Sequence, residues 1–111
     1  NEIKIIKKAM FKVVNENKGT AFKSRIDDIK FAGKTGTSQV KRISISERES
    51  DDFRKKEQEW KNRDHALFVG YIPHDDPKYA ISVIIEHGGS GASTAAPIAK
   101  QIFNYINKLD T

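Results

Sequence analysis

Cysteine is absent from the 111 residues. That removes structural disulfides, thiolate zinc sites and cysteine nucleophiles together, but it leaves the compartment open, since many proteins of oxidising compartments also dispense with disulfides. Long apolar runs are missing too. None approaches the roughly 20 residues that a membrane-spanning helix requires, and the first residues lack the charged and apolar blocks of a secretory leader. Proline occurs three times and tryptophan once. A chain this short forms one domain at most, and burying roughly two thirds of its unfolded surface gives it a modest core without metal or covalent staples. Because it opens on Asn1 rather than methionine, it reads as a piece of a longer protein.

Charge, by contrast, is abundant. Lys and Arg number 20 against 15 Asp and Glu, for a formal net charge of +5. The excess belongs to the first third: residues 1–40 hold 9 basic and 4 acidic side chains, residues 41–64 hold 8 and 7, and residues 65–111 hold 3 and 4. Much of it is Lys4, Lys7, Lys8 and Lys12, which helical spacing spreads over a solvated face. No aromatic stripe accompanies them as nucleic-acid stacking would require, so no nucleic-acid partner is expected.

Apolar residues at Ile3, Ile6, Met10, Val13 and Val14, widened by Ile5, Ala9 and Phe11, predict a helix over residues 1–17, and Asn17-Lys18-Gly19 supplies a left-handed stop. Residues 20–30 read as a loop and residues 31–40 as a strand whose glycines imply close approach to its backbone. Residues 41–64 carry 15 charged side chains among 24 and read as an exposed excursion, with a short helix near Asp52 to Trp60 and Trp60 as a local packing anchor. Residues 65–87 then form an antiparallel hairpin across Pro73 to Pro77, with Tyr79, Ile81, Val83 and Ile85 on one face. A last helix over 93–109 presents Ala95, Ile98, Ala99, Ile102, Phe103, Ile106 and Leu109, capped by Thr94 or Ser93, with Pro97 tolerated in its first turn. This order predicts an α+β domain, a three-stranded antiparallel sheet flanked by N- and C-terminal helices.

The chemistry concentrates at Gly33-Lys34-Thr35-Gly36-Thr37-Ser38-Gln39. A nucleotide phosphate loop fails on spacing, because its first glycine would fall at Asp28. Lys-Thr-Gly-Thr on a strand suits a carboxylate-bearing acyl donor instead. Alternation puts the hydroxyls of Thr35 and Thr37 on one face and Lys34 on the other, where its ammonium can attract the carboxylate. Gly36 leaves room for a neighbouring domain or substrate, and the amide of Thr37 on an edge strand can donate to an oxyanion.

Four stretches in order resemble the C-terminal end of the transpeptidase domain of class B penicillin-binding proteins, the branch that serves cell elongation. They are Ala9 to Asn15 followed by Gly19-Thr20-Ala21, Phe31 to Val40, Arg63-Asp64-His65 with Phe68 to Pro73, and Ile81 to Gly89 leading to Ala95-Ala96-Pro97-Ile98-Ala99. The resemblance implies a β-lactamase/transpeptidase-like fold and a serine D,D-transpeptidase that cross-links peptidoglycan stem peptides and is acylated by β-lactams. It implies that Lys34, Thr35, Gly36 and Thr37 bind the terminal carboxylate and that Thr37 lends its amide to the oxyanion hole. It also implies partners in the rest of the transpeptidase domain and the elongation-machinery membrane proteins, at the periplasmic face of the inner membrane.

The family's nucleophile lies in a Ser-x-x-Lys motif, and a Ser-x-Asn motif follows it. Both precede Lys-Thr-Gly, and neither is present here. Ser38-Gln39-Val40-Lys41 has the letters but a strand spacing that opposes the side chains, and Tyr105-Ile106-Asn107 falls in the terminal helix. The segment alone is therefore expected to be inactive. His65, His74 and His87 show no ligand spacing, so neither metal nor cofactor is expected. Gly88 to Gly91 reads as a strand-to-helix turn rather than an anion site. A β-lactamase or β-lactam sensor of the same fold and a non-enzymatic basic binding module stand as alternatives, and the exposed sheet edge offers a route to self-association.

Overall fold

The computed structural model describes residues 1–40 and 60–110. In chain order the main elements are α1 (Glu2–Asn15), β1 (Ala32–Ser38), β2 (His65–Ile72), β3 (Tyr79–Ile85) and α2 (Ala96–Leu109). The strands form one antiparallel sheet in the order β1-β2-β3, the α+β arrangement the sequence predicts. Most of the charged excursion, and the short helix expected near Asp52, fall at residues 41–59, outside the described residues. Trp60–Asn62 is a single 3-10 turn.

α1 starts where Asn1 accepts a hydrogen bond from the Lys4 amide at 3.1 Å, with Glu2 in the first turn and Lys12 in the last, each placed to suit the helix dipole. Its end differs from the left-handed cap expected. Glu16 leaves the helix in an extended conformation, and Gly19 is needed for space rather than for its φ. The chain folds back so tightly that the Ala21 amide reaches the Val13 carbonyl at 3.0 Å, and a Cβ on Gly19 would lie 2.1 Å from that same oxygen. Asn15 then ties α1 to the sheet by donating to the carbonyls of Phe11 and Phe31 at 3.0 and 2.9 Å. Of the apolar stripe only Val14 is fully buried, while Ile3, Ile5 and Ile6 are 57% to 69% exposed. The 3.6-residue period marks a face fit for burial, and the described residues cover it chiefly over the C-terminal half of α1, from Met10 on.

One face of the sheet carries the core. Ala66, Phe68, Gly70 and Ile72 alternate inward along β2, and Gly33 of β1 pairs with Gly70. Phe68 closes over that pair: a Cβ on Gly33 would lie 2.2 Å from its ring and one on Gly70 2.7 Å. Behind it, Phe31 meets Phe68 with ring centroids 6.2 Å apart and Phe103 of α2 at 4.9 Å. The approach to the backbone that the β1 glycines imply is thus made, at Gly33, by an aromatic ring.

α2 approaches through small residues. Ala95, Ala99 and Phe103 are buried, Ile98 and Ile106 partly so, whereas Ile102 and Leu109 are exposed, so less aliphatic surface is buried than the stripe suggests. The expected cap is absent as well. The Thr94 hydroxyl donates to the Gly88 carbonyl at 2.8 Å, and a five-residue π-helical turn, Gly91–Ala95, leads into the helix with no side-chain cap. Packing forces this entry, since Gly91 lies so close to β1 and β2 that a Cβ there would be 2.4 Å from the Gly36 carbonyl and 2.5 Å from that of Leu67. Pro97 occupies the first turn of α2 as expected. β3 ends at Ile85, two residues before the predicted limit, because His87 turns the chain with φ 55.

Candidate active-site edge

β1 is an outer strand. Its neighbour on one side is β2, and among the described residues no strand pairs with the other side. Alternate backbone amides of such a strand face away from the sheet. Along this edge Lys34, Thr37 and Ser38 are exposed and Gly36 is half-buried. The Lys34 ammonium donates to the Thr35 carbonyl and so lies against the Thr35-Gly36 peptide. A Cβ on Gly36 would make only an ordinary contact of 3.4 Å with Leu67.

The two threonines that alternation puts on one face differ in surroundings. Thr37 is exposed, whereas Thr35 is only 9% exposed, and its hydroxyl shares a 2.8 Å hydrogen bond with that of Thr20. Thr20 comes from the loop after α1, just before the 3-10 turn Phe22–Ser24. Sequence reasoning placed it in a family-like tripeptide without a role, and no local spacing announces a contact across 15 positions. What the edge offers is a fixed positive charge, one open hydroxyl, one tethered hydroxyl and outward amides within four consecutive residues. That donor set suits a carboxylate and, at an amide pair, a carbonyl gaining negative charge.

Of the two decoys, Ser38 lies on β1 opposite His65, with Lys41 outside the described residues, and Tyr105-Ile106-Asn107 lies within α2. The histidines are closer in space than in sequence. His65 and His87 have ring centroids 4.7 Å apart, and the Trp60 ring lies tilted against His87 at 4.3 Å. Trp60 does anchor the local packing while staying exposed. The His87 ring donates from Nδ1 to the Arg63 carbonyl at 2.9 Å, and the His87 amide donates to Nδ1 of His65 at 3.0 Å. Each ring therefore uses its Nδ1 within this cluster, and among the described residues no group of three His, Cys, Asp or Glu side chains is placed to hold a metal. His74 sits at the other end of the sheet, 3.1 Å from the Tyr71 hydroxyl and 4.6 Å from the Phe11 ring. Burial pushes the Tyr71 phenol above its ordinary pKa, and hydrogen bonding to Asp110 raises that of Tyr79, so both hydroxyls keep their protons at neutral pH.

The family model for the penicillin-binding protein transpeptidase domain matches residues 1–104. The peptidoglycan D,D-transpeptidase MrdA of Haemophilus influenzae is 40% identical over 100 residues, which cover 89% of this chain and 15% of that protein. Helicobacter pylori PBP2, solved in complex with MreC, superposes with a TM-score of 0.74 at 28% identity over 97% of this chain and 17% of that one. Pseudomonas aeruginosa PBP2, solved in complex with WCK 5153, gives 0.65 at 35% identity over 89% of this chain and 18% of that one. The chain thus spans less than a fifth of these relatives. Neither the β-lactamase or sensor alternative nor the basic binding module is favoured by them. The sheet, α1, the first part of α2 and the Lys-Thr-Gly-Thr strand fall within the matched region, and the chain belongs to the penicillin-binding protein transpeptidase domain family.

Proposed function

We propose that this chain is the C-terminal part of the transpeptidase domain of a peptidoglycan D,D-transpeptidase of the PBP2 type, residues 1–111 supplying one wall of its acyl-transfer cleft. The observation that carries this reading is the exposed β1 edge, where Lys34 and Thr37 flank a strand side that no other strand among the described residues pairs with, in a chain matched by the transpeptidase family model. The Lys34 ammonium and the Thr37 hydroxyl would hold the terminal carboxylate of a stem peptide, or the equivalent group of a β-lactam, through charge-assisted hydrogen bonds. Thr35 would add its hydroxyl from below, and Gly36 keeps side-chain bulk off the strand where the substrate lies. The Thr37 amide would donate to the oxygen that becomes negative as the serine attacks. The nucleophilic serine and its lysine base belong to a part of the domain outside this chain.

The H. pylori relative forms a complex with MreC, which supports elongation-machinery membrane proteins as partners of the parent. Its location would be the periplasmic face of the inner membrane; among the described residues no helix is long and apolar enough to cross a membrane. Labelling with a fluorescent penicillin tests the whole reading. The intact protein should label covalently, Lys34→Ala should slow labelling by about ten- to a hundredfold, the worth of a charged hydrogen bond, and the isolated segment should not label. Covalent labelling of the segment alone would place a nucleophile within it and overturn the assignment.

A further inference from the structure

We infer that Thr20 is a positioning residue for the carboxylate-binding edge, a role that rests on the function proposed above. The Thr35 hydroxyl has one proton and two lone pairs, and its oxygen lies 2.8 Å from that of Thr20. If Thr35 donates to Thr20, its proton is spent and it presents only lone pairs, which repel an incoming carboxylate. If Thr20 donates, Thr35 keeps its proton for the anion. A bound carboxylate therefore selects the chain in which Thr20 donates to Thr35 and Thr35 to the substrate, each bond polarising the next.

The loop that carries Thr20 is built to hold it. The Ala21 amide is fixed on the Val13 carbonyl at 3.0 Å, the Phe22 amide on that of Gly19 at 3.2 Å and the Ser24 amide on that of Ala21 at 2.9 Å. Ala21 is buried and Gly19 is packed against the end of α1. Thr35 cannot turn elsewhere, being 9% exposed on a strand paired with β2. Thr20 itself is exposed, so removing its hydroxyl opens no cavity, and any loss of function reports the hydrogen bond rather than collapse of the fold.

The test compares acylation of the intact transpeptidase by a penicillin and by the methyl ester of the same penicillin, which lacks the anionic group. Thr20→Val, isosteric but without the hydroxyl, should slow reaction with the acid by about three- to tenfold, the worth of one hydrogen bond, and leave the ester within about twofold. Thr20→Ser, which keeps the oxygen, should restore the acid's rate, and the thermal midpoint should match the parent in both variants. Parental reactivity of Thr20→Val with the acid, or equal slowing of acid and ester, overturns the inference. Lys34→Ala and Thr37→Val run in parallel separate the two levels. If they lose the preference for the acid while Thr20→Val keeps it, only the role of Thr20 falls. If they keep it as well, the carboxylate reading has failed and the role of Thr20 with it.

Discussion

At the scale of single residues, two glycines three positions apart in β1 do different work. Gly33 sits under the Phe68 ring, where a Cβ would stand 2.2 Å from a ring carbon and 2.6 Å from the Val69 carbonyl, whereas at Gly36 the nearest atom is 3.4 Å away. Gly33→Ala should therefore displace a fully buried aromatic and lower stability by about 1–3 kcal/mol, the cost of overpacking a core. Gly36→Ala should cost much less, and thermal or denaturant unfolding of the two variants checks the difference. A melt that ranks Gly36→Ala as the worse variant would mean that Phe68 does not occupy the space assigned to it. The motif itself was legible in the sequence because Lys34, Thr35, Gly36 and Thr37 are contiguous, and strand alternation alone assigns their faces. The separate environments of Thr35 and Thr37 were not legible, since they arise from Thr20, which only the fold-back after α1 brings within reach.

Elements were readable to the extent that period and punctuation specify them. The helices follow from a spacing of 3.6, β3 from alternation and β1 from its threonines and small residues, while the entry to α2 does not, because it is set by contact with β1 and β2 rather than by local preference. Sequence reasoning takes Thr94 or Ser93 as a cap, yet the turn at Gly91–Ala95 is shaped by the fit of Gly91 onto the backbone of Gly36 and Leu67. Those oxygens belong to paired strands, so neither can yield without loosening the ladder, and a methyl group at 91 must lift the turn instead. Gly91→Ala is expected to destabilise the protein by about 1–3 kcal/mol and to slow acylation, because the lifted turn no longer packs on the Gly36 backbone next to Thr37. Gly89→Ala is the control. With φ 92 and nothing within 4 Å of a Cβ, it should carry only a backbone cost of about 1–2 kcal/mol and leave β1 in place. Amide hydrogen exchange at Gly36 and Thr37 distinguishes them, faster in Gly91→Ala and unchanged in Gly89→Ala.

Over the whole molecule the two faces of the sheet are unlike. The face bearing Phe68 is closed by α2, while on the other face Val69 is 47% and Ile84 62% exposed, and Ile3, Ile5 and Ile6 of α1 add further apolar surface. Sequence alternation in β3 put Tyr79, Ile81, Val83 and Ile85 on one face, of which Tyr79 is exposed, but it could not say whether Ile84 on the opposite side meets solvent or protein, because both outcomes read as an apolar residue in a strand. Apolar area of this kind on a chain that spans less than a fifth of its relatives fits a face closed by the remainder of the transpeptidase domain. On that reading one substitution has opposite consequences in two settings. Ile84→Lys in the isolated segment removes an adhesive patch and should reduce self-association, measured by sedimentation. In the intact protein it places an ammonium in an interface between parts of one domain and should lower the denaturation midpoint by several degrees, equivalent to about 1–3 kcal/mol. If the intact protein tolerates Ile84→Lys without loss of stability, that face is a free surface, and among the described residues the outer edges of β1 and β3 are left as routes for association of the segment; Ser38→Pro, which breaks the outward row of backbone donors and acceptors on β1, then reduces it if β1 is the edge used.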